Sequence, residues 1–554
     1  MACTGRGDSP DATAPERAGV TPASLPTSRA AAESAGLVGT DVSAERIVLE
    51  DVGPPAPTIA FTAGLKGYTE PCGCTMDLIL GGIDRVAGVT GEVRAMATSS
   101  LVLDAGNLLF EYPDINENAV AQERRKTEVM IAALGAMQTR ATTIGPSDLA
   151  LGIDFYLSVL GQTPIDVLGA NVTLNGGAPF ALPWAAYALG ESQVAVIGAA
   201  SVEAFIGRDD VEVSPALDAI GSAVEEIVTA GHPTTVLLFQ GTIQQARAEL
   251  AGLGGVDFII IGQPRQTDEM ERIGDAWTLE AFDQGRYLGR LKLLTSEREG
   301  ELDWQSARAG SEEEIARLQR VIEGIEAQLT RMELPAGEPV PPIVQRQRDR
   351  ITTHQAELAA MEGSAIDFER GPRVFYFEPI GLSPGYATDP SVTAEMIEYN
   401  QALRALNLAG GSPAIPANPG EPGYVGQTVC ATCHPAAAAF WATSEHAGAI
   451  QTLTSRGKEY DRSCIGCHMT GYEQPGGSSL GEWRGLENVQ CEQCHGPGEF
   501  HARAPTEWLN VPNGVHTATT EQTCIGCHNE EHSTTFEYNT YLPRVLGPGH
   551  GHPQ

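Results

Sequence analysis

The chain has 554 residues, 42% of them hydrophobic, and carries 71 acidic against 35 basic side chains, a net charge of −36. That length can bury more than one core. The charge disfavours nucleic acid and anionic membrane surfaces as partners, and would steer in a basic one. No run of about 18 apolar residues is present, so nothing in the sequence reads as a transmembrane span.

Residues 1–50 are rich in Ala, Ser, Thr, Pro and Gly and lack apolar periodicity, which reads as a disordered tether. Met1-Ala-Cys3-Thr-Gly5 resembles the end of a bacterial lipoprotein signal. With a start further upstream, Cys3 would be the lipidated residue. Arg6-Gly7-Asp8 has no supporting context and is read as chance. From residue 57 onward, short β runs alternate with helical stretches. Strands are expected at 58–62, 101–104, 141–144, 165–169, 193–198, 234–239, 257–262, 277–281 and 287–294, an α/β domain with helices covering a sheet. Inside it, Glu70-Pro-Cys72-Gly-Cys74 sets two thiols at i and i+2. They could close a strained, reducible disulfide or take a soft metal, which makes Cys72 and Cys74 redox candidates. The bland alternative is a structural disulfide or two buried thiols.

After residue 300 the period changes. Ile315, Leu318, Ile322, Ile325 and Leu329 form one heptad seam, and Val344, Ile351, Leu358 and Met361 a second. The Pro/Gly-rich stretch 334–342 separates them, so residues 301–365 read as an antiparallel helical hairpin inserted into the α/β domain. A dimerising coiled coil is the alternative, though the arms are short for one. Val374-Phe-Tyr-Phe-Glu-Pro379 reads as a returning strand, 391–408 as a helix, and the Gly/Pro-dense stretch 409–422 as a linker.

Residues 423–554 hold the strongest signal. Cys430-Ala-Thr-Cys433-His434, Cys464-Ile-Gly-Cys467-His468, Cys491-Glu-Gln-Cys494-His495 and Cys524-Ile-Gly-Cys527-His528 repeat C-x-x-C-H four times. This is the attachment signature of c-type haem. Two thiols add to the two vinyl groups of one porphyrin, and the adjacent His offers its imidazole to the iron. Paired C-x-x-C elements also bind zinc. A His directly after all four, in a chain with only 12 histidines, argues for four covalently bound haem c groups instead. The proximal ligands are then His434, His468, His495 and His528. Distal ligands must come from the six other histidines of this region. His446, His501, His516 and His550 are the candidates, and His532 and His552 are read as solvent-exposed. Eight of the 11 cysteines are consumed by the motifs. Haem c is attached outside the cytoplasm, so a periplasmic or otherwise exported chain is expected.

Two resemblances extend this reading. Thr62-Ala-Gly-Leu-Lys-Gly67, Gly81-Gly-Ile-Asp-Arg85, Leu103-Asp-Ala-Gly-Asn107, Gly145-Pro-Ser-Asp-Leu-Ala-Leu-Gly152 and the run Val256 to Arg265 resemble the motif loops of 5′-nucleotidase-type metallophosphatases. The resemblance implies a sheet sandwich with a two-metal site at its strand ends. At the matching positions, however, the ligands are replaced by Gly64, Lys66, Asn107, Pro146, Ser147, Gln240, Gln263 and Arg265. A two-metal hydrolase needs imidazoles and carboxylates there to make its hydroxide, so no phosphatase activity of this kind is expected. The second resemblance is to tetrahaem cytochromes of the c-554 type. It is carried by Tyr424-Val-Gly, Trp441-Ala-Thr-Ser-Glu-His446-Ala, Cys467-His-Met-Thr-Gly471, Cys491-Glu-Gln-Cys-His-Gly-Pro-Gly498 with His501, and Phe536-Glu-Tyr-Asn-Thr-Tyr541. It implies electron transfer, His446 as a distal ligand and, in that family, one five-coordinate haem. The expected protein is therefore a multidomain chain. An α/β metallophosphatase-like sandwich with a helical insertion precedes a mainly α and irregular multihaem domain that passes electrons to a redox partner. The alternative is a redox enzyme acting on a small nitrogen or sulfur compound at an open haem or at the Cys72/Cys74 pair.

Overall fold

The computed structural model describes residues 46–51, 55–72, 80–232, 234–264, 270–295, 342–361, 373–409, 413–510, 512–529 and 536–547, with isolated positions such as 533 and 550. Sixteen strands occur in these stretches: β1 (Thr58–Thr62), β2 (Pro71–Cys72), β3 (Leu80–Gly81), β4 (Ser100–Asp104), β5 (Ala141–Thr143), β6 (Asp166–Leu168), β7 (Val172–Leu174), β8 (Trp184–Leu189), β9 (Ser192–Ala200), β10 (Val211–Val213), β11 (Thr234–Gln240), β12 (Phe258–Ile261), β13 (Arg272–Ile273), β14 (Ala276–Leu279), β15 (Tyr287–Thr295) and β16 (Arg373–Gly381). Twelve of them make two six-stranded sheets, ordered β16-β15-β1-β4-β5-β6 and β13-β14-β12-β11-β9-β8. Every strand expected from sequence is present, within two residues at its ends.

Side-chain alternation explains how the sheets stack. Along β1, Ile59 and Phe61 face one side and Ala60 the other; along β11, Val236 and Leu238 oppose Leu237 and Phe239. Ile59, Phe61, Leu101, Leu103, Val196, Val236, Leu238, Phe258 and Ile260 form one buried cluster between the two sheets. The outer face of the second sheet is covered by helices Ala216–Ala230 and Ile243–Glu249, through Ile220, Ala223, Ile227, Ile243 and Ala246. The outer face of the first is covered by helices Ile83–Met96, Val120–Met137 and Pro390–Ala409. The result is a four-layer α/β/β/α sandwich. β1, β4, β5 and β6 run parallel, as do β9, β11, β12 and β14, while β15 inside the first sheet and the edge strands β8 and β13 of the second run antiparallel to their neighbours.

The helical insertion leaves the sheet at a simple point. β15 pairs antiparallel with β16 from Tyr287↔Gly381 to Thr295↔Arg373, so the intervening chain departs from the end of a strand pair and returns to it. Where the second arm of the hairpin is expected, the structure has the helix Pro342–Met361, with Val344 buried. Of the first seam, Ile322 and Ile325 are buried, while Ile315 and Leu318 lie outside the described residues.

The N-terminal boundary is corrected. Residues 46–51 belong to the sandwich and not to a tether. Leu49 is buried in the outer core of the first sheet, Ile47 N donates to the Gly385 carbonyl, and Asp51 pairs with buried Lys292 at 2.7 Å. One apolar side chain and one buried counter-ion, invisible to periodicity, attach this stretch. Cys3 lies outside the described residues. No described helix is long and apolar enough to cross a membrane.

Residues 413–547 have a different texture. Their helices are short, such as Gln427–Cys433, Arg462–His468, Cys491–His495 and Glu521–Ile525. Among the described residues, the buried apolar cluster of this region comprises Leu453, Ile465, Met469 and Leu480, with a few partly buried neighbours.

Candidate haem-binding centre

Each C-x-x-C-H motif sits on or just after one of these short helices, which brings two thiols and an imidazole to one side of the chain. The four motifs are also brought together. The Cys430 thiol lies near that of Cys491, the Cys467 thiol near that of Cys527, and Cys494 within electrostatic reach of Cys524. In space the order of attachment points is therefore first, third, fourth, second.

Three motif histidines face a second imidazole. His434 and His501 stand with ring centroids 6.4 Å apart and planes 17° apart. For His495 and His550 the values are 6.2 Å and 17°. For His528 and His446 they are 6.1 Å and 54°. These gaps are too wide for direct ring contact and too regular for accident. A metal bound by one nitrogen of each ring, at about 2 Å per bond, spreads two imidazole centroids to roughly 6 Å. The residues present thus fit an iron held between two histidines.

The outer nitrogens support the same fit. His468 Nδ1 donates to the Ala449 carbonyl at 2.6 Å and lies 3.3 Å from Thr452 Oγ1. His495 Nδ1 donates to the His516 carbonyl at 2.6 Å. His528 Nδ1 lies 3.4 Å from Ser533 Oγ. A carbonyl only accepts, so in the first two the proton is on Nδ1, and Nε2 is left with the lone pair a metal needs. Burial lowers the pKa of His446, and burial together with the neighbouring His446 lowers that of His528. Both shifts favour the neutral imidazole, the form that can ligate a metal. Phe536 stacks on His528 at 4.7 Å and Tyr541 packs beside Phe536, which accounts for the aromatic segment after the fourth motif.

Sequence left the distal partners unassigned, and the fold pairs them: His501 with the first motif, His550 with the third, His446 with the fourth. His516 is in none of these three ring pairs, and its backbone carbonyl accepts from His495 Nδ1. His532 and His552 lie outside the described residues.

A structural residue missed from sequence lies inside the third motif. Glu492, only 3% exposed, accepts from the backbone N–H groups of Val425 (2.9 Å), Gly426 (2.7 Å) and Gly498 (2.7 Å). It thereby ties the start of the first-motif helix to the third motif. Burial raises its pKa against these hydrogen bonds. The next residue, Gln493, accepts from Gly471 N at 3.0 Å behind the second motif. The two variable positions of this C-x-x-C are thus the staples between motifs. The signal was available only as an acidic residue at a position free to vary.

The carboxyl ends of the parallel strands, where open α/β sheets hold ligands, are built differently. Gly64 N donates to the Gly106 carbonyl (3.0 Å) and Lys66 N to the Asn107 carbonyl (2.7 Å). Asn107 Oδ1 accepts from Ser147 N and Oγ at 3.1 and 2.8 Å. Lys66 Nζ pairs with Asp283 at 2.8 Å, and Arg286 holds the other Asp283 oxygen at 2.7 Å. The positions expected at this edge do converge, but as amides, a hydroxyl and an ion pair. Among the described residues no group of three or more His, Cys, Asp or Glu is placed to hold a metal ion. The loops also approach closely: a Cβ at Gly262 would lie 2.3 Å from the Ala105 carbonyl oxygen. Gln240 and Gln284, 0% and 1% exposed, each bury both amide atoms without a hydrogen-bond partner. Cys72 contributes its backbone to the β2–β3 pair opposite Leu80, while its side chain, together with Cys74 and Arg265, lies outside the described residues.

Comparison with known proteins divides along the same line. Residues 429–496 match the sequence profile of the family described as cytochrome c554 and c-prime. The cytochrome c-554 of Nitrosomonas europaea is 34% identical over 91 residues, which is 14% of this chain and 39% of that protein. The chain therefore spans about two fifths of the curated relative it matches. Among solved structures, the 5′-nucleotidase precursor of Thermus thermophilus superposes with a TM-score of 0.43 at 15% identity, covering 63% of this chain and 59% of that one. The NAD nucleotidase of Haemophilus influenzae gives 0.42 at 14% identity, over 66% and 63%.

Proposed function

We propose that this chain is an exported electron-transfer protein carrying four haem c groups, fused to an α/β unit that has lost metallophosphatase chemistry. The reading is carried by three imidazole pairs with centroids 6.1–6.4 Å apart, each containing one C-x-x-C-H histidine. The c-554-type profile match over residues 429–496 supports it. Bound haem would supply a one-electron iron couple that closed bis-histidine ligation suits to electron passage.

The chain's own residues do the rest. Cys430/Cys433, Cys464/Cys467, Cys491/Cys494 and Cys524/Cys527 would anchor the porphyrins. His434, His468, His495 and His528 would ligate proximally, and His501, His550 and His446 distally to the first, third and fourth irons. Carbonyls of Ala449 and His516 keep two proximal imidazoles in the ligating tautomer. Cysteines of different motifs lie near one another, so the attachment points of neighbouring groups would be close together. The α/β unit would bind a partner or a small polar ligand at its strand-end edge, where Gln240 and Gln284 keep unsatisfied amides. A lipid anchor at Cys3 would hold the protein at a membrane, and a basic redox protein is the partner its charge favours.

The test is pyridine haemochrome quantification of the purified protein, followed by electron paramagnetic resonance of its oxidised form with and without cyanide. Four haems per chain are expected, with at least three low-spin signals that cyanide leaves unchanged. Fewer haems would overturn the reading. A high-spin signal that collapses on adding cyanide would assign an open iron and put the redox-enzyme reading ahead. Divalent metal and a nucleotide are expected to give no phosphate release.

A further inference from the structure

The α/β unit touches the cytochrome region through a buried polar clamp. Gln122, on the helix Val120–Met137 and 0% exposed, donates from Nε2 to Asp461 Oδ1 at 2.7 Å and to Ser463 Oγ at 3.3 Å. Its Oε1 accepts from Arg462 N at 3.0 Å and from Asn407 Nδ2 at 2.7 Å. Asn407, on the helix Pro390–Ala409 and 2% exposed, also donates to the Tyr460 carbonyl at 2.7 Å. Asp461 is the N-cap of the helix Arg462–His468, accepting from Ser463 N at 3.0 Å. That helix bears Cys464, Cys467 and His468, the whole second motif.

Around the clamp lies a set of buried charges. Lys458 sits 3.5 Å from Asp461 and 3.5 Å from Glu70, and over the ring of Tyr399 at 5.5 Å. Lys126 pairs with Glu123 at 2.8 Å, and Arg404 lies over Tyr460 at 5.2 Å. Glu70, Gln122, Glu123, Lys126, Tyr399, Arg404 and Asn407 come from the α/β unit. The other side comes from the seven residues before Cys464. The start of the first-motif helix is held otherwise, by Gln490 and Glu492 from within the cytochrome region.

We propose that Gln122, supported by Asn407, is a positioning residue for the second haem: the α/β unit fixes the helix that carries that haem's attachment and proximal ligand. The inference rests on the haem reading above. One amide satisfies donor and acceptor sites at the first turn of a seven-residue helix, too short to hold its own geometry. Buried polar groups tolerate no loss of partners, so the direction of this helix is set from outside the cytochrome region. The second haem is thereby placed next to the α/β unit, beside Lys458, Asp461 and Glu70. Whatever shifts the helix Val120–Met137 shifts the surroundings of this haem before those of the other three.

The test uses the full-length holoprotein, with haem content, electron paramagnetic resonance and potentiometric titration read together. Gln122→Met keeps the shape and removes the clamp. Gln122→Glu places a carboxylate against Asp461. Each is expected to retain four haems while shifting the g-values and midpoint potential of one component and leaving three in place. The double change Gln122→Glu with Asp461→Asn exchanges donor and acceptor and should return that component towards wild type. Should Gln122→Met fail to accumulate, Asn407→Ser, which removes one arm of the clamp, is read in the same way. Four haems with every component unchanged would overturn the inference, as would all four components shifting together or no recovery in the double variant. A wild-type protein with fewer than four haems would instead overturn the functional reading on which it rests.

Discussion

At the residue scale the chain uses its rare groups with purpose. It has only four lysines, and all four are ion-paired: Lys66 with Asp283, Lys126 with Glu123, Lys292 with Asp51 and Lys458 with Glu70 and Asp461. Three are under 8% exposed. Lysine in this chain thus marks ion pairs, three of them in the interior. Glu492 is a second case. Glu492→Gln leaves one amide nitrogen facing backbone donors, and is expected to cost the holoprotein about 1–3 kcal/mol in denaturant unfolding. A third is the pair of buried carboxyls beneath the strand ends. Burial pushes Asp148 from 3.8 up to about 7 and Asp104 up to about 6, against the hydrogen bonds each accepts. Both folded values exceed the unfolded one, so the folded state keeps protons that the unfolded state releases. Their contribution is full below pH about 4 and lost as pH rises to about 7. Asp148→Asn should therefore lower stability at pH 5 yet flatten its decline between pH 4 and 7. Unfolding midpoints of both proteins across that range check it.

At the element scale, the two halves fold by different means. The sandwich is held by long alternating strands and amphipathic helices that bury side chains on both sheet faces. The cytochrome helices are five to seven residues long where they carry motifs and surround a very small apolar cluster. Helices of that length are not stable alone, so the porphyrins should provide the missing apolar core. Produced without haem attachment, the full chain is expected to keep a protease-resistant sandwich and to be digested beyond residue 413. A haem-free chain whose C-terminal region resists protease would contradict this. The chain between Thr295 and Arg373, where a hairpin is expected from sequence, lies between two strands that pair directly, β15 and β16. Shortening it should leave haem content and the unfolding midpoint of the sandwich nearly unchanged, as optical spectra and thermal melts would show.

At the scale of the whole molecule, charge and contact decide what meets what. A net charge of −36, which haem propionates would make more negative, steers cations from a distance, and the effect weakens beyond a Debye length of about 8 Å at physiological salt. Electron exchange with a basic redox protein is therefore expected to slow by an order of magnitude or more between low and high ionic strength. Stopped-flow traces at increasing salt measure it, and a flat dependence would point to a neutral or acidic partner. Inside the molecule, the polar clamp between Gln122, Asn407 and Asp461 joins the two halves at the helix that bears the second C-x-x-C-H motif.

The sequence alone determined the chemistry of attachment. Two thiols and an imidazole in C-x-x-C-H are adjacent in the chain, so no fold is needed to bring them together. It also determined the strands, whose alternation is local, and the residue types that stand at the strand-end loops, Gly64, Lys66, Asn107, Ser147 and Gln240. Only the tertiary structure decided the rest, because each remaining feature joins residues far apart in the chain. His434 faces His501, His495 faces His550 and His528 faces His446 across gaps of 55 to 82 residues, and the choice among six histidines depended on packing. Glu492 reaches back to Gly426, and Gln122 reaches forward to Asp461. Hydrogen bonds of this kind carry no periodicity and no motif; they exist because a buried polar group must find a partner wherever the fold places one.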